Sequence, residues 1–325
     1  KLVDAPVLLA GDIDRGGVFA QLYGTVALLE EDERRRIKGV VVNKFRGDRA
    51  ILEPGLKTLE QLCGIPVAGV IPYAHIDIDD EDSLTERFDR SKERKLLDIA
   101  VIRVPRISNF TDFSPFEHYG NVSLRYVDQV SDLHQPDMIL LPGTKSTIAD
   151  LRWLRQSGLE PALLKLAARG TPVFGVCGGY QMLGQYYKTW DGKQCDFTGA
   201  LDLYTVGSEQ RMIGNYMFTC DEADCKIVGF ENHSGKTYLG SGVKPLGKIL
   251  EGYGNNGEDG TEGAHYKNVF ASYSHGCLLP KNPKLADLIL QTALERKYGA
   301  LTLPPLPDTL ETAAHTYMEN RLTHK

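Results

Sequence analysis

The chain has 325 residues, enough for two domains each with its own core. A hydrophobic content of 42% and a charged content of 25% are those of an ordinary soluble globular protein, and a net charge of -6 argues against nucleic acid or an anionic membrane as the main partner. No apolar run approaches the roughly 18 residues of a membrane span, and the opening Lys1-Leu-Val-Asp-Ala-Pro6 is not a signal peptide, so a cytoplasmic location is expected.

The first 75 residues alternate strand and helix. Pro6 to Gly11 reads as a fully buried parallel-type strand, followed by Asp12-Ile-Asp14-Arg-Gly-Gly17 and an apolar helix from Val18 to Leu29. Ile37 to Val42 is a second strand ending in Asn43-Lys-Phe-Arg-Gly-Asp48, Leu52 to Cys63 an amphipathic helix, and Pro66 to Ile71 a third strand. Short loops between such units imply a parallel sheet covered by helices. Residues 76 to 97 are acidic and then basic with little apolar periodicity, and read as a charged linker with a short helix.

A second α/β domain is expected over residues 98 to 300, opening with the strand Leu96 to Arg103. Further strands are predicted at 123–126, 138–141, 173–176, 227–230 and 269–273, and helices at 146–155, 159–169, 180–187 and 283–297. Gly252 to Gly263 is rich in glycine and acids and reads as a loop or hairpin tip. The tail, 301 to 325, carries a helix from Leu310 to Leu322 expected to pack back on the domain.

Within this domain, Thr171-Pro-Val-Phe-Gly-Val-Cys177-Gly-Gly-Tyr-Gln181-Met-Leu-Gly184 reads as a strand, a sharp elbow and a helix, with a cysteine at the tip. Gly175, Gly178 and Gly179 allow the tight, positive-φ geometry that such a turn demands. The helix N-terminus would then aim its dipole and free N–H groups at Cys177, lowering the thiol pKa and offering oxyanion donors. The plainer alternative is a buried core thiol. A thiolate needs a base, and His275, at the end of the apolar run Val269-Phe-Ala-Ser-Tyr-Ser-His275-Gly, is the best-placed histidine. Leu140-Leu-Pro-Gly143-Thr-Lys-Ser-Thr147 ends another strand in a turn that caps a helix. The six cysteines have no framework spacing, and Cys220 and Cys225 lack the second ligand pair of a zinc site.

The Cys177-Gly-Gly-Tyr-Gln181 and Tyr273-Ser-His275-Gly sequences resemble the nucleophile and base motifs of class I glutamine amidotransferases. That resemblance implies a flavodoxin-like α/β glutaminase domain; the partial dethiobiotin-synthetase-like parallel α/β domain expected before it is implied by the likeness of the first residues to a synthetase family. The amidotransferase resemblance further implies that Cys177 attacks the glutamine amide, that Gln181 helps hold the substrate, and that Gly143 and Gly178 supply the oxyanion hole. Many class I enzymes carry a glutamate two residues after the histidine; here that position is Cys277, so a dyad or an acid from elsewhere is expected.

From Pro6 to about Gln185 the chain is similar to the cobyric acid synthase family, through Asp12 to Gly17, Asn43 to Asp48, Ser108-Asn-Phe-Thr-Asp-Phe113 and Leu141 to Leu151. From about Gly199 onward, Arg211-Met-Ile-Gly214, Gly229 to Thr237 and Tyr273 to Asn282 are more similar to the glutaminase subunit of lipid II isoglutaminyl synthase. The first likeness implies amidation of corrinoid carboxylates with glutamine and ATP, the second amidation of a peptidoglycan precursor. By the second, Arg211 would bind the substrate carboxylate through two parallel donors, with a surface arginine as the alternative. The first implies that Asn43 recognises adenine and that Asp12 or Asp14 faces magnesium. No segment from Lys1 to Leu97 has the Gly-x-x-x-x-Gly-Lys-Ser/Thr spacing of a phosphate loop, so the expectation is a truncated synthetase part. On this reading the glutaminase domain binds no cofactor, while ATP and Mg2+ belong to a complete synthetase domain or subunit. A hydrolase or isomerase without amide transfer, and a silent binding partner of a ligase, are the rival classes.

Overall fold

The computed structural model describes residues 2–14, 16–73 and 94–324. Most of the expected charged linker lies outside these residues. The chain divides into two units, Lys1–Ile78 and Asp79–Lys325.

The first unit runs β1 (Val7–Asp12), α1 (Val18–Leu28), α2 (Glu31–Arg34), β2 (Ile37–Phe45), α3 (Arg49–Cys63) and β3 (Val67–Pro72). The strands form a parallel sheet in the order β1-β2-β3, in which Asp12 lies beside Asn43. Val18, Leu22 and Val26 recur every four residues and give α1 one buried stripe, which packs with Leu56 and Leu59 of α3 and with Val40 and Val42 of β2. α3 starts three residues earlier than the apolar pattern suggests, because the Asp48 carboxylate accepts the Ala50 N–H at 2.8 Å and caps it. β1 is not the fully buried strand expected. Among the described residues it pairs on one side only, and Leu8 is 64% exposed.

The second unit runs β4 (Leu97–Ile102), β5 (Ile107–Ser108), a 3₁₀ helix (Phe110–His118), β6 (Val122–Val127), α4 (Val130–Leu133), β7 (Met138–Leu141) and β8 (Gly143–Thr144). It continues with α5 (Thr147–Gln156), α6 (Leu159–Ala168), β9 (Val173–Val176), α7 (Gly178–Met182), β10 (Tyr186–Lys188) and β11 (Gln194–Asp196). Next come β12 (Leu203–Cys220), β13 (Cys225–Leu239), β14 (Gly247–Glu251), β15 (Thr261–Glu262), β16 (Ala264–Tyr266) and β17 (Val269–Ser272). The helices α8 (Leu278–Lys281), α9 (Pro283–Tyr298) and α10 (Thr309–Thr323) complete it.

Its main sheet has the order β16-β17-β9-β7-β4-β6, parallel except for β16. β4 is buried at all six positions, as a strand with both faces covered must be. Two expectations fail here. The helix predicted over 180–187 ends at Met182, where the chain turns into β10. The strand predicted at 227–230 belongs to the 15-residue β13, which pairs antiparallel with β12 in a second sheet rather than joining the parallel one. The hydrophobic alternation of β12 breaks at a bulge between Gly207 and Met212, so its period is hard to read from sequence. α10 packs back on this unit as expected, with Leu322 buried against Met217 and Val228.

Candidate active site

β9 and β17 lie side by side in parallel register, Val176 opposite Ser272, so both chains reach the carboxyl edge of the sheet together. That is where open parallel sheets present ligand-binding loops. The Cys177 N–H donates to the Ser272 carbonyl at 2.8 Å and ties the elbow to the segment that carries His275.

The strained residue of the elbow is the cysteine itself, with φ 50° and ψ -107°, not its glycine neighbours. A non-glycine residue in such a conformation costs on the order of 1–3 kcal/mol, which the surrounding structure must offset. The glycines serve close approach instead. A Cβ on Gly179 would stand 2.1 Å from the Leu141 carbonyl oxygen, and one on Gly178 2.5 Å from Thr144 Cγ2. Gly143 is held against Ser108 in the short β5–β8 ladder, so Gly143, Thr144 and Gly178 meet at the elbow.

Cys177 is partly exposed, yet the protein around it pushes its thiol pKa up to about 12. Desolvation is the main cause, the Gly178 N–H opposes it, the Asp112 and Glu262 charges add to it, and Arg211 opposes it again. The expected depression by the helix dipole is therefore overruled, since α7 has only five residues and burial is the larger effect. Burial also pushes His275 down, to about 4, with His233 adding to the shift. At neutral pH the pair rests as thiol and neutral imidazole.

His275 lies three residues beyond β17, and its backbone pairs with Phe230 of β13, with N–H to carbonyl distances of 3.0 and 3.3 Å. Its Nδ1 is buried without a hydrogen-bond partner among the described residues, so no acid among them holds the ring through that nitrogen. This agrees with a cysteine at position 277.

The Gln181 amide is engaged at both ends: its Oε1 accepts from Thr147 Oγ1 at 3.0 Å and its Nε2 donates to the Tyr273 hydroxyl at 3.1 Å. Tyr273 lies 2.6 Å from Thr237 Oγ1 and stacks on the His233 ring at 3.6 Å. Arg211 sits on β12 beside the bulge, exposed, and donates through Nε to Asn232 Oδ1 at 2.5 Å.

Two buried acids behind the site were not singled out from sequence. Glu262 accepts from Ser272 Oγ at 2.7 Å and from the Tyr273 N–H at 2.8 Å, and burial raises its pKa to about 7. Asp112 accepts from the Leu278 N–H at 2.8 Å and is likewise raised to about 7 by burial. Asp112 was within reach because it belongs to the polar, aromatic Ser108–Phe113 segment. Glu262 sits in a stretch that reads only as a loop.

In the first unit, Asp12, Asp14 and Asn43 gather at the carboxyl end of β1 and β2. Lys44 Nζ lies 2.9 Å from Asp12, and Arg46 Nε 2.9 Å from Asp14. Among the described residues no group of three His, Cys, Asp or Glu side chains is placed to hold a metal.

A thiol on a strand–elbow–helix turn, next to the strand whose continuation carries a histidine, on a parallel sheet, is the arrangement of a glutaminase-type α/β domain. Residues 98–283 match the CobB/CobQ-like glutamine amidotransferase domain, and the chain belongs to that family. Residues 4–85 match the CobQ/CobB/MinD/ParA nucleotide binding domain. Among curated relatives, the cobyric acid synthase of Ruminiclostridium cellulolyticum is 47% identical over 85% of this chain and 56% of its own length. That of Lachnoclostridium phytofermentans is 52% identical over 74% of this chain and 48% of its own, and that of Photorhabdus laumondii 46% over 85% and 57%. The chain thus spans about half the length of the curated relatives it matches. Matches over 85% of the chain extend well past Gly199, where the sequence motifs turned toward the lipid II enzyme.

The nucleotide-binding likeness implies ATP and magnesium. Asn43 and Lys44 offer polar groups at the right edge of the sheet, whereas both nearby carboxylates are already ion-paired. A magnesium ion there would have to displace Lys44 or Arg46, so the chemistry below runs through the second unit alone.

Proposed function

We propose that the second unit hydrolyses glutamine at Cys177 and supplies ammonia for amidation of corrinoid carboxylates in cobalamin biosynthesis. The observation that carries the reading is the juxtaposition of the strained Cys177 with the His275 segment through the Cys177 N–H to Ser272 carbonyl bond. The likeness to cobyric acid synthases supports the acceptor. ATP and Mg2+ enter as the activators of that acceptor in the fuller synthetase.

In this mechanism the Cys177 sulfur attacks the side-chain amide carbon while His275 takes the thiol proton. The high thiol and low imidazole pKa values mean that the proton moves during attack rather than before it. The oxyanion that forms faces the Gly178 and Gly143 N–H groups, worth roughly 3 kcal/mol per donor. His275 returns the proton to the departing ammonia, and water then cleaves the γ-glutamyl thioester to glutamate. Arg211 takes the substrate carboxylate, and Gln181 shapes the pocket through Thr147 and Tyr273. Glutamine-dependent amide formation on a corrinoid acid, with ATP, Mg2+ and a complete synthetase part supplied, tests the acceptor. Amidation of a peptidoglycan precursor instead would overturn it.

A further inference from the structure

The His275 imidazole has no carboxylate on its Nδ1, so something else must fix its place. The turn that follows it is unusual. Gly276 and Cys277 both adopt left-handed backbone, with φ of 70° and 67°. The N–H groups of Gly276, Cys277 and Leu278 act on one carboxylate. Asp112, fully buried on the 3₁₀ helix, accepts the Leu278 N–H at 2.8 Å, and the Gly276 and Cys277 N–H groups also favour its ionised form.

The far side of the turn is fixed separately. Asn282 accepts the Val228 N–H at 2.9 Å and donates to the Val228 and Leu278 carbonyls at 2.8 and 2.7 Å, while His275 itself pairs with Phe230. The His275 backbone is therefore held by β13 before the turn and by Asp112 after it. Asp112 reaches that turn through the Leu278 N–H.

We propose that Asp112 is a positioning residue for His275, doing through the Gly276–Leu278 backbone what a carboxylate on the imidazole would do directly. This rests on the glutaminase reading above. Misplacing a catalytic group by about 1 Å costs on the order of 10²-fold in turnover. The loss should fall on kcat, because Arg211 and Gln181 lie on other elements.

The test uses the full chain and glutamine as substrate. Asp112→Leu, which removes the acceptor, should lower kcat on the order of 10²-fold with KM within about threefold, whereas Asp112→Asn, which keeps an oxygen for the Leu278 N–H, should recover to within about tenfold of the parent. Gly276→Ala provides a second route to the same turn without touching the buried acid. Its Cβ would make only an ordinary 3.6 Å contact with Phe230 Cβ, so any effect comes from backbone strain. It too should lower kcat with KM unchanged, and it serves if Asp112→Leu does not fold. Full turnover in Asp112→Leu, equal damage in Asp112→Asn and Asp112→Leu, or a loss expressed as raised KM would overturn the proposal. Absence of glutamine hydrolysis in the parent chain would instead overturn the glutaminase reading, and this proposal with it.

Discussion

Two side chains carry the chemistry assigned to this protein, and each has a sharp expected phenotype. Cys177→Ser should abolish glutamine hydrolysis with the fold intact, since a hydroxyl is far less nucleophilic with only a weak imidazole base; residual activity on the order of one-tenth would contradict the assignment. His275→Ala should cost on the order of 10³-fold in kcat, while Cys277→Ala should cost only a few-fold, because that side chain replaces an acid rather than acting as one. The pH profile follows from the His275 shift. Attack needs neutral imidazole, and burial lowers its pKa to about 4, so activity should stay level from neutral pH down to about 5.5 and fall only below that. An acid limb centred near 6.5 that persists in Asp112→Asn would place His275 in water rather than in the protein. Which residue bears the strain was not readable from sequence: the Gly-Gly pair suggested flexible glycines, whereas the positive φ falls on Cys177 and the glycines answer to close packing.

At the scale of elements, the elbow depends on Gly179 lying against β7. Gly179→Ala would force Leu141 or the elbow to move, and should cost about 3 kcal/mol or more in denaturant unfolding together with activity. The Glu262 carboxyl, joining β15 to β17, makes stability depend on pH. Its folded pKa is about 7 against an ordinary 4.5, so between those values the folded state keeps a proton that the unfolded chain has released. Its contribution is present at low pH and lost as pH rises through that window. Glu262→Gln does not titrate, so its stability relative to the parent should improve by roughly 3 kcal/mol between pH 4.5 and 7 in urea titrations. No change in the gap would mean that folding leaves the Glu262 pKa at its ordinary value. The parallel strands and their helices were legible because each has one clean period: a four-residue stripe in α1, an unbroken apolar run in β4. The antiparallel sheet was not, because β12 is polar along Gly207–Arg211 and bulged there, and β13 was seen only at its apolar end.

At the scale of the whole molecule, every residue assigned to glutamine chemistry lies in the second unit, and the sequence carried that division through its motifs rather than its composition. Cys177, His275, Gly143, Gly178 and Gln181 could be named because each occupies a fixed place in a strand-loop motif. Asp112 and Glu262 act through backbone N–H groups 166 and 11 residues away, a relation that only the fold creates. The central claim is that Cys177 carries the γ-glutamyl group. Rapid acid quench of the full chain with glutamine, followed by mass spectrometry of its peptides, tests it most directly. The account predicts a γ-glutamyl adduct on the peptide containing Cys177, absent in Cys177→Ser. Glutamine turnover with that peptide unmodified, or an adduct on another cysteine, would contradict it.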